Sequence, residues 1–352
     1  MAMSLQRLLG TELSIIQAPM AGVQGSALAA AVSNAGGLGS LPCAMLGIDA
    51  MRSELAALRQ QTSRPFNVNF FCHTPPEPDL ARAAAWRAAL GPFYEELGID
   101  ANTIAAAPAR APFNADSADV IEEVRPAVVS FHFGLPSADL LARVRRSGAK
   151  IFSSATTVDE ARWLEARGVD AIIAQGLEAG GHRGMFLSDD LSTQVGTFAL
   201  LPQIVRAVRV PVIAAGGIAD ASGVAAAMLL GAAGVQVGTA YMLCPEASTS
   251  AVHRNALQDA GAGHTALTNL FTGRPARGIV NRLMRALGPI SAAAPAFPLA
   301  AAAIAPLRAA AERQGSGDFS PLWSGQNASA CRDVPAGELT HALAAAVDRR
   351  RG

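Results

Sequence analysis

The chain alternates short apolar segments with alanine-rich segments of helical periodicity, and this alternation constrains its fold more than any other feature. Helical patterns such as 24–35, 157–167 and 220–230 separate the apolar segments. Strands that alternate with helices form parallel βαβ units, and eight such units close into a barrel. We therefore predict an α/β fold, a (β/α)8 TIM barrel. Its eight predicted strands are 14–18, 37–41, 66–70, 127–131, 150–154, 170–174, 210–214 and 234–237.

Two long segments do not fit this repeat. The chain has 352 residues, whereas a barrel of this kind needs about 250. Residues 72–118 form an insertion after the third strand, and residues 240–330 have the pattern of helices and loops. We predict a barrel at 1–239 that contains this insertion, a smaller, mainly helical lid domain at 240–330, and a C-terminal helix within 331–352 that packs back on the barrel.

Charge and cysteine usage narrow the function classes. The formal net charge is zero, so nothing electrostatic favours nucleic acid or an anionic membrane surface as a partner. The apolar run 292–311 contains three prolines and predicts a surface or lid helix rather than a membrane span. The four cysteines lack paired spacing, and with the missing signal peptide they indicate the reducing cytoplasm. No histidine or carboxylate cluster predicts a metal site.

Residues 175–184, directly after the sixth predicted strand, predict a catalytic loop. They read Gln-Gly-Leu-Glu-Ala-Gly-Gly-His-Arg-Gly. Glycines let the main chain lie against a flat ligand or adopt positive φ, and barrel active sites lie at the carboxyl ends of the strands. His182 has the side chain whose unperturbed pKa, about 6.5, suits proton transfer near neutrality. We predict that His182 is catalytic; the alternative is a glycine-rich connection with a solvated histidine.

Other strand ends carry groups suited to a flavin nucleotide. Asn69 and Gln175 are amides, and amides offer both donors and acceptors to the mixed edge of an isoalloxazine ring. The seventh and eighth predicted strands each run into a glycine turn, at Gly217 and at Gly238 followed by Thr239. Loops at these two places form the phosphate site of many barrels. The pattern therefore predicts a phosphate-bearing flavin.

Substrate contacts are less sharply indicated. His132, at the end of the fourth predicted strand, has either a ligand-binding or a structural role. Residues 291–306 contain no charged side chain. For a substrate with a second anionic group, Arg183, Arg274 and Arg277 are therefore the candidate anchors.

Several separate motifs, spread from residue 17 to residue 326, together resemble the nitronate monooxygenase family. They occur in one order along nearly the whole chain, which makes a chance match improbable. The motifs are Gln-Ala-Pro-Met-Ala-Gly at 17–22, Asn-Val-Asn-Phe-Phe at 67–71, Val-Ser-Phe-His-Phe-Gly-Leu-Pro at 129–136, the loop 175–184, Ala-Gly-Gly-Ile at 215–218, Gln-Val-Gly-Thr at 236–239 and Leu-Trp-Ser-Gly-Gln at 322–326.

The resemblance implies an FMN-dependent enzyme that oxidises alkyl nitronates, such as propionate-3-nitronate, with O2 to a carbonyl compound and nitrite. It implies that His182 is the active-site histidine, and His132 and Arg183 are the candidate substrate contacts. The expected partners are a small-molecule nitronate and O2, in a monomer or homodimer. The FMN-binding residues that it implies are Met20, Asn69, Gln175, Gly180, Gly217, Gln236, Val237, Gly238 and Thr239.

Two other functions remain open at this stage. The same flavin barrel could serve an NAD(P)H-dependent reductase of quinones or enoyl thioesters, or a non-catalytic FMN-binding protein. Reduction of the bound flavin by NADH at rates suited to turnover distinguishes the first alternative. Binding of FMN without activity toward nitronate, NADH or O2 distinguishes the second.

Overall fold

The computed structural model describes residues 5–101, 104 and 111–348. The remaining parts of the predicted insertion, 102–103 and 105–110, lie outside the described residues, as do the two chain ends. Within the described part, no helix is long and apolar enough to cross a bilayer. All four cysteines are free.

Eight parallel strands form one sheet that is nearly closed into a barrel. In space the strands follow the order 15–17, 234–237, 212–215, 171–175, 150–155, 128–132, 66–71 and 39–42. The two ends of this order are joined at Leu38, whose carbonyl accepts from the Gln17 N–H (3.0 Å) and whose N–H donates to the Ile15 carbonyl (2.9 Å). Every predicted strand is confirmed to within two residues. The barrel strands are β1 (Ile15–Gln17), β2 (Gly39–Pro42), β3 (Phe66–Phe71), β4 (Val128–His132), β5 (Lys150–Ala155), β6 (Ala171–Gln175), β8 (Val212–Ala215) and β9 (Gly234–Val237).

Helices cover the outer face of the sheet, and inward-facing side chains of the strands, together with Leu5 and Leu9, fill the inside of the barrel. Both faces are therefore buried, which explains why β6 is apolar and buried along its length. The predicted helical segments 24–35, 157–167 and 220–230 are confirmed. The helices are α1 (Leu5–Leu9), α2 (Ser26–Asn34), α3 (Ile48–Gln61), α4 (Leu80–Glu96), α5 (Ala115–Val124), α6 (Ala138–Arg146), α7 (Val158–Ala166), α8 (Thr197–Ala207), α9 (Ala221–Leu229), α10 (Ala251–Gln258), α11 (Arg282–Leu287), α12 (Ala301–Arg313) and α13 (Ala336–Asp348).

The last helix completes the barrel. After β9 the chain leaves the barrel and returns at Ala336 as α13, which packs between α9 and α2. Leu339 and Leu343 are buried in the barrel core, and the hydroxyls of Tyr241 and Thr340 lie 2.8 Å apart. Helix α13 therefore occupies the place of the eighth barrel helix, where the sequence predicted a helix packed back on the barrel.

A second hydrophobic cluster joins the insertion to the segment after β9. Trp86 and Tyr94 of α4 donate hydrogen bonds to the carbonyls of Ala300 (3.3 Å) and Ala303 (2.7 Å). We call α4 together with 265–323 the accessory region. Helix α5 begins at Ala115, within the last residues of the predicted insertion, and packs on α3 and α6.

The accessory region also contains a small antiparallel sheet. Strand β10 (Thr265–Thr268) pairs with β11 (Ala276–Ile279), and β11 pairs with the two-residue strand β7 (Gly181–His182). Strand β7 belongs to the loop after β6. This pairing fixes the glycine-rich loop between the barrel and the accessory region.

Candidate active site

A cavity of about 410 Å³ lies at the carboxyl ends of the barrel strands, against the accessory region. This is the end at which barrel active sites lie, and the volume falls within the range of roughly 300–1,000 Å³ typical of small-molecule sites. Ten of the predicted site residues line it: Met20, Asn69, His132, Gln175, Gly180, His182, Gly217, Gln236, Gly238 and Thr239.

Two predicted site residues do not line the cavity. Val237 packs in the barrel core, and its carbonyl accepts a hydrogen bond from the Ala18 N–H (2.8 Å). Arg183 is fully buried. Its guanidinium donates to the carbonyls of Gln175 (2.7 Å) and Gly176 (2.7 Å) and to Gln194 Oε1 (3.0 Å). This side chain therefore braces the end of β6 in the structure, and its role as a substrate contact stays a prediction.

The other two candidate arginine anchors also lie outside the cavity wall. Arg277 donates to the Leu177 carbonyl (2.9 Å) and to Thr265 Oγ1 (3.1 Å). The Arg274 guanidinium lies 4.1 Å from the centre of the Phe133 ring and donates to a main-chain carbonyl. Burial lowers the pKa of both arginines. The guanidinium groups of Arg274 and Arg277 therefore attach the accessory region to the loop after β6.

His182 lies among aromatic side chains at one end of the cavity. Its Nε2 is 2.9 Å from Thr272 Oγ1, and a hydroxyl can accept from a protonated nitrogen or donate to a bare one. The Trp323 and Phe297 rings lie 5.5 Å and 5.3 Å away, centre to centre, and the Phe71 ring 6.2 Å away. The site therefore holds a histidine that can be stabilised in either protonation state, in a mostly apolar enclosure.

The Gln175 amide orders the main chain around His182. Its Nε2 donates to the His182 carbonyl (3.0 Å), and its Oε1 accepts from the Gly184 N–H (2.7 Å). Both ends of the amide are thus used within the protein. The sequence predicted an amide directed at a ligand, and the structure adds a positioning role that no local pattern indicated.

His132 has the geometry of a structural histidine. Its Nε2 is 3.1 Å from the His182 carbonyl and its Nδ1 is 3.0 Å from Ser154 Oγ. Burial, and to a lesser degree the charges of Arg274 and Arg183, lower its pKa to about 4. The ring is therefore neutral at neutral pH, donating from Nε2 to the carbonyl and accepting from the serine at Nδ1.

Two side-chain acceptors at the cavity lack a protein donor. Gln236 Oε1 is buried and has no hydrogen-bond partner within the described residues. Asn69 donates through Nδ2 to Ser130 Oγ (3.0 Å) and to the Ser130 carbonyl (3.2 Å), whereas no partner for its Oδ1 occurs in the part of the chain that the structure describes. Because buried polar atoms are nearly always paired, Gln236 Oε1 indicates a ligand that brings a donor, and Asn69 Oδ1 can accept from the same ligand.

The glycine turns after β8 and β9 form a cradle at another part of the cavity. Gly216 and Gly217 both have positive φ, 116° and 72°. No acceptor within the described residues takes the main-chain N–H of Gly217 or of Thr239. Main-chain N–H groups without a protein acceptor are suited to the oxygens of a phosphate.

Gly180 has a different reason to be glycine. A Cβ at this position would lie 2.5 Å from the Gly325 nitrogen, too close for any side chain. Gly325 in turn donates to Thr239 Oγ1 (2.9 Å). Gly180 therefore lets the segment 322–326 pack between the loop after β6 and the loop after β9. This packing accounts for the Leu-Trp-Ser-Gly-Gln motif so far along the chain.

Several cavity residues were not predicted from the sequence. They have no motif of their own; Thr272, Ile304 and Arg308 come from the accessory region, and His253 comes from α10. Thr272 is ninety positions from the histidine that it contacts. No group of histidine, cysteine or carboxylate side chains that could hold a metal ion occurs among the described residues.

Known proteins resemble this chain over nearly its whole length. A family model described as nitronate monooxygenase matches residues 3–346. A Paraburkholderia phytofirmans protein of that name is 45% identical over 345 residues, covering 96% of this chain and 92% of that protein. A Pseudomonas aeruginosa protein of the same name is 43% identical over 354 residues, covering 98% of each. The solved structure of nitroalkane oxidase from Streptomyces ansochromogenes has a TM-score of 0.89 at 40% identity, covering 99% of this chain and 98% of that one.

Proposed function

The chain belongs to the nitronate monooxygenase family, and we propose that it binds FMN in this cavity and oxidises alkyl nitronates with O2 to a carbonyl compound and nitrite. The family establishes an oxidoreductase that acts on nitronates. One observation supports FMN binding and nitronate oxidation in particular. The glycine cradle, the amide acceptors of Asn69 and Gln236, and His182 all line the same cavity.

The residues at the cavity fit FMN. The N–H groups of Gly217 and Thr239 would hold the phosphate, because both lack a protein acceptor within the described residues. Asn69 Oδ1 and Gln236 Oε1 would accept hydrogen bonds from donors on the isoalloxazine ring or the ribityl chain of FMN. Met20 would lie against the ring. It packs next to Gly238: a Cβ built on that glycine would lie 3.6 Å from the Met20 sulfur.

Bound FMN would supply the electron transfer and the reaction with O2 that amino-acid side chains do not provide. The contribution of the protein is to bind and orient the nitronate. Phe71 and Trp323 line the cavity near His182 and exclude water from that end. In a site with little water, the attraction between a nitronate anion and a charged histidine is stronger than in bulk solvent.

His182 can act in two ways. A nitronate has already lost its carbon proton, so its oxidation needs no base, and a protonated ring would hold the anion. With the neutral nitroalkane, the neutral ring would take the carbon proton as general base. The Thr272 hydroxyl can pair with Nε2 in both states.

Oxygen consumption tests the proposed function. The purified, FMN-loaded protein is supplied with ethylnitronate or propionate-3-nitronate, and in a parallel assay with NADH. We expect O2 uptake and nitrite formation with the nitronates, and NADH oxidation no faster than in a free-FMN control. Rapid NADH oxidation with no nitronate activity would instead identify a reductase, and inactivity with all three compounds would indicate a binding protein.

A further inference from the structure

A buried glutamate at the start of α7 binds the chain segment that follows His182. Glu160 is 1% exposed and lies just beyond the carboxyl end of β5. Its Oε1 accepts hydrogen bonds from the Phe186 N–H (2.5 Å) and the Leu187 N–H (3.3 Å). The carboxylate therefore holds the outgoing part of the loop after β6, at the end of the barrel where the cavity lies.

Helix α7 does not need this contact for its own capping. Residues 157–160, Thr-Val-Asp-Glu, read as a capping box, in which the glutamate binds the N–H of the cap residue. Thr157 does cap the helix, because its side chain accepts from the Glu160 N–H (3.2 Å). The Glu160 carboxylate instead uses Oε2 for the N–H (2.6 Å) and the hydroxyl (2.7 Å) of Thr156. Its other oxygen serves the loop after β6.

Glu160 also ends a buried chain of polar side chains that reaches the neighbour of His182. Thr156 Oγ1 accepts from Gln194 Nε2 (3.0 Å), and Gln194 Oε1 accepts from Arg183 Nε (3.0 Å). All four side chains are buried. Burial lowers the pKa of Arg183 to about 10, and the charge of Glu160 acts in the opposite direction. The segment after His182 is thus held at both ends, and both ends lead to one carboxylate.

From these contacts, and resting on the proposed function, we infer that Glu160 is a positioning residue that holds the His182 ring against Thr272 for its action on the substrate. Glu160 is not among the residues that line the cavity, so it acts through the loop. Glycines flank His182 on both sides, and glycine leaves the main chain many conformations. The orientation of the histidine therefore depends on contacts made from outside the loop.

Glu160→Gln tests this inference, because glutamine keeps the volume but cannot form all four hydrogen bonds of the carboxylate. The amide nitrogen donates and does not accept. The substrate is the form, nitronate or neutral nitroalkane, that depends more on His182. We expect kcat/KM to fall about 10–100-fold, because a small misplacement of a reacting group has a large effect on rate.

A double-mutant cycle distinguishes positioning from a general structural role. In a His182→Asn background the group to be positioned is absent, so adding Glu160→Gln should change kcat/KM by less than about twofold. A further loss as large as in the wild-type background would overturn the inference. Thr156→Val, which removes only the hydroxyl, serves if Glu160→Gln does not fold. It should give a smaller loss that also disappears in His182→Asn, and wild-type kinetics would contradict the inference.

The matched control is Glu165→Gln, on the same helix. Glu165 Oε1 likewise accepts from two main-chain groups, the Arg209 N–H (2.5 Å) and the Val210 N–H (3.1 Å). These precede β8, so this contact lies at the opposite end of the barrel from the cavity. Glu165→Gln should keep kcat/KM within about twofold of wild type. Equal losses in Glu160→Gln and Glu165→Gln would show that the position of the glutamate is irrelevant.

A spectroscopic measurement separates this inference from the proposed function. If wild type oxidises neither form of the substrate, the proposed function fails, and the signals of the His182 ring still decide the role of Glu160. The ring nitrogens are observed by two-dimensional NMR of the FMN-loaded protein and assigned with His182→Asn. A His182 signal that moves in Glu160→Gln but not in Glu165→Gln supports the inference. A His182 signal unchanged in Glu160→Gln contradicts it.

Discussion

At the scale of single residues, the contact between His182 and Thr272 decides how the site can be tested. If the ring is a general base, His182→Asn should lower kcat/KM with a neutral nitroalkane by about 10²–10⁴-fold. Activity with the preformed nitronate should fall much less, because no carbon proton remains to be removed. If the protonated ring holds the anion, the nitronate reaction should suffer as well, through KM. Steady-state kinetics with both forms of one substrate distinguish the two roles.

His264→Asn is the control for this substitution, because His264 is exposed and lies away from the cavity wall. It should leave both reactions unchanged. Near-normal kinetics of His182→Asn with both substrate forms would remove this histidine from the mechanism.

At the scale of elements, the glycine turn after β8 is predicted to hold the cofactor phosphate. Gly217→Asp would place a carboxylate beside the phosphate, and like charges at short distance repel. Because Gly217 has a φ of 72°, any side chain is also strained there, and a Cβ would lie 3.3 Å from Glu178 Cβ. Gly217→Ala measures these two effects without the added charge. We expect FMN affinity to fall modestly in Gly217→Ala and much further in Gly217→Asp, as measured by fluorescence titration of the apoprotein.

Equal affinity of the two Gly217 variants would show that charge at this turn is irrelevant and that the phosphate lies elsewhere. Wild-type affinity in Gly217→Asp would contradict the assignment outright.

The elements differ in how far the sequence could predict them. The eight barrel strands were predictable because short, mainly apolar segments alternate with helical patterns along the chain, even where polar residues interrupt a segment, as Asn67 and Asn69 do in β3. Strand β7 was not, because Gly181–His182 has no strand composition and pairs with Ala276 and Arg277, far along the chain. The hydrogen bonds by which Gln175 and Arg183 hold this loop were likewise not predictable, because the spacing of residues does not show which main-chain groups a side chain reaches.

At the scale of the whole molecule, buried histidines link stability to pH. Burial lowers the pKa of His253 to about 4, against an ordinary value of 6.5. The unfolded chain therefore takes up a proton before the native state does. This contribution to stability is complete above pH 6.5, declines as the pH falls toward 4, and amounts to about 3 kcal/mol at most.

His253→Gln should remove this dependence, because glutamine can still donate to the Trp323 carbonyl without titrating. We expect the difference in unfolding free energy between wild type and His253→Gln to change by up to that amount between pH 7 and pH 4. Urea denaturation at several pH values measures it, with the exposed His341→Gln as control. Parallel pH profiles for wild type and His253→Gln would show that His253 is not buried as described.

Across the whole molecule, the barrel half of the site was predictable and the accessory half was not. The strand-end residues follow from the rule that parallel strands present their carboxyl ends at one edge. Arg308 lines the cavity only because α12 packs on α4, through Trp86 and Tyr94. That packing joins segments about two hundred residues apart, and no local pattern indicates it.

The proposed function requires that a nitronate, and not NADH, is the electron donor to the bound flavin. Anaerobic stopped-flow mixing measures this: one preparation of FMN-loaded protein is mixed with ethylnitronate or with NADH, and flavin absorbance is followed. We expect loss of oxidised-flavin absorbance with the nitronate at least as fast as turnover, and an unchanged spectrum with NADH over the same time. Fast bleaching by NADH together with no response to the nitronate would contradict it.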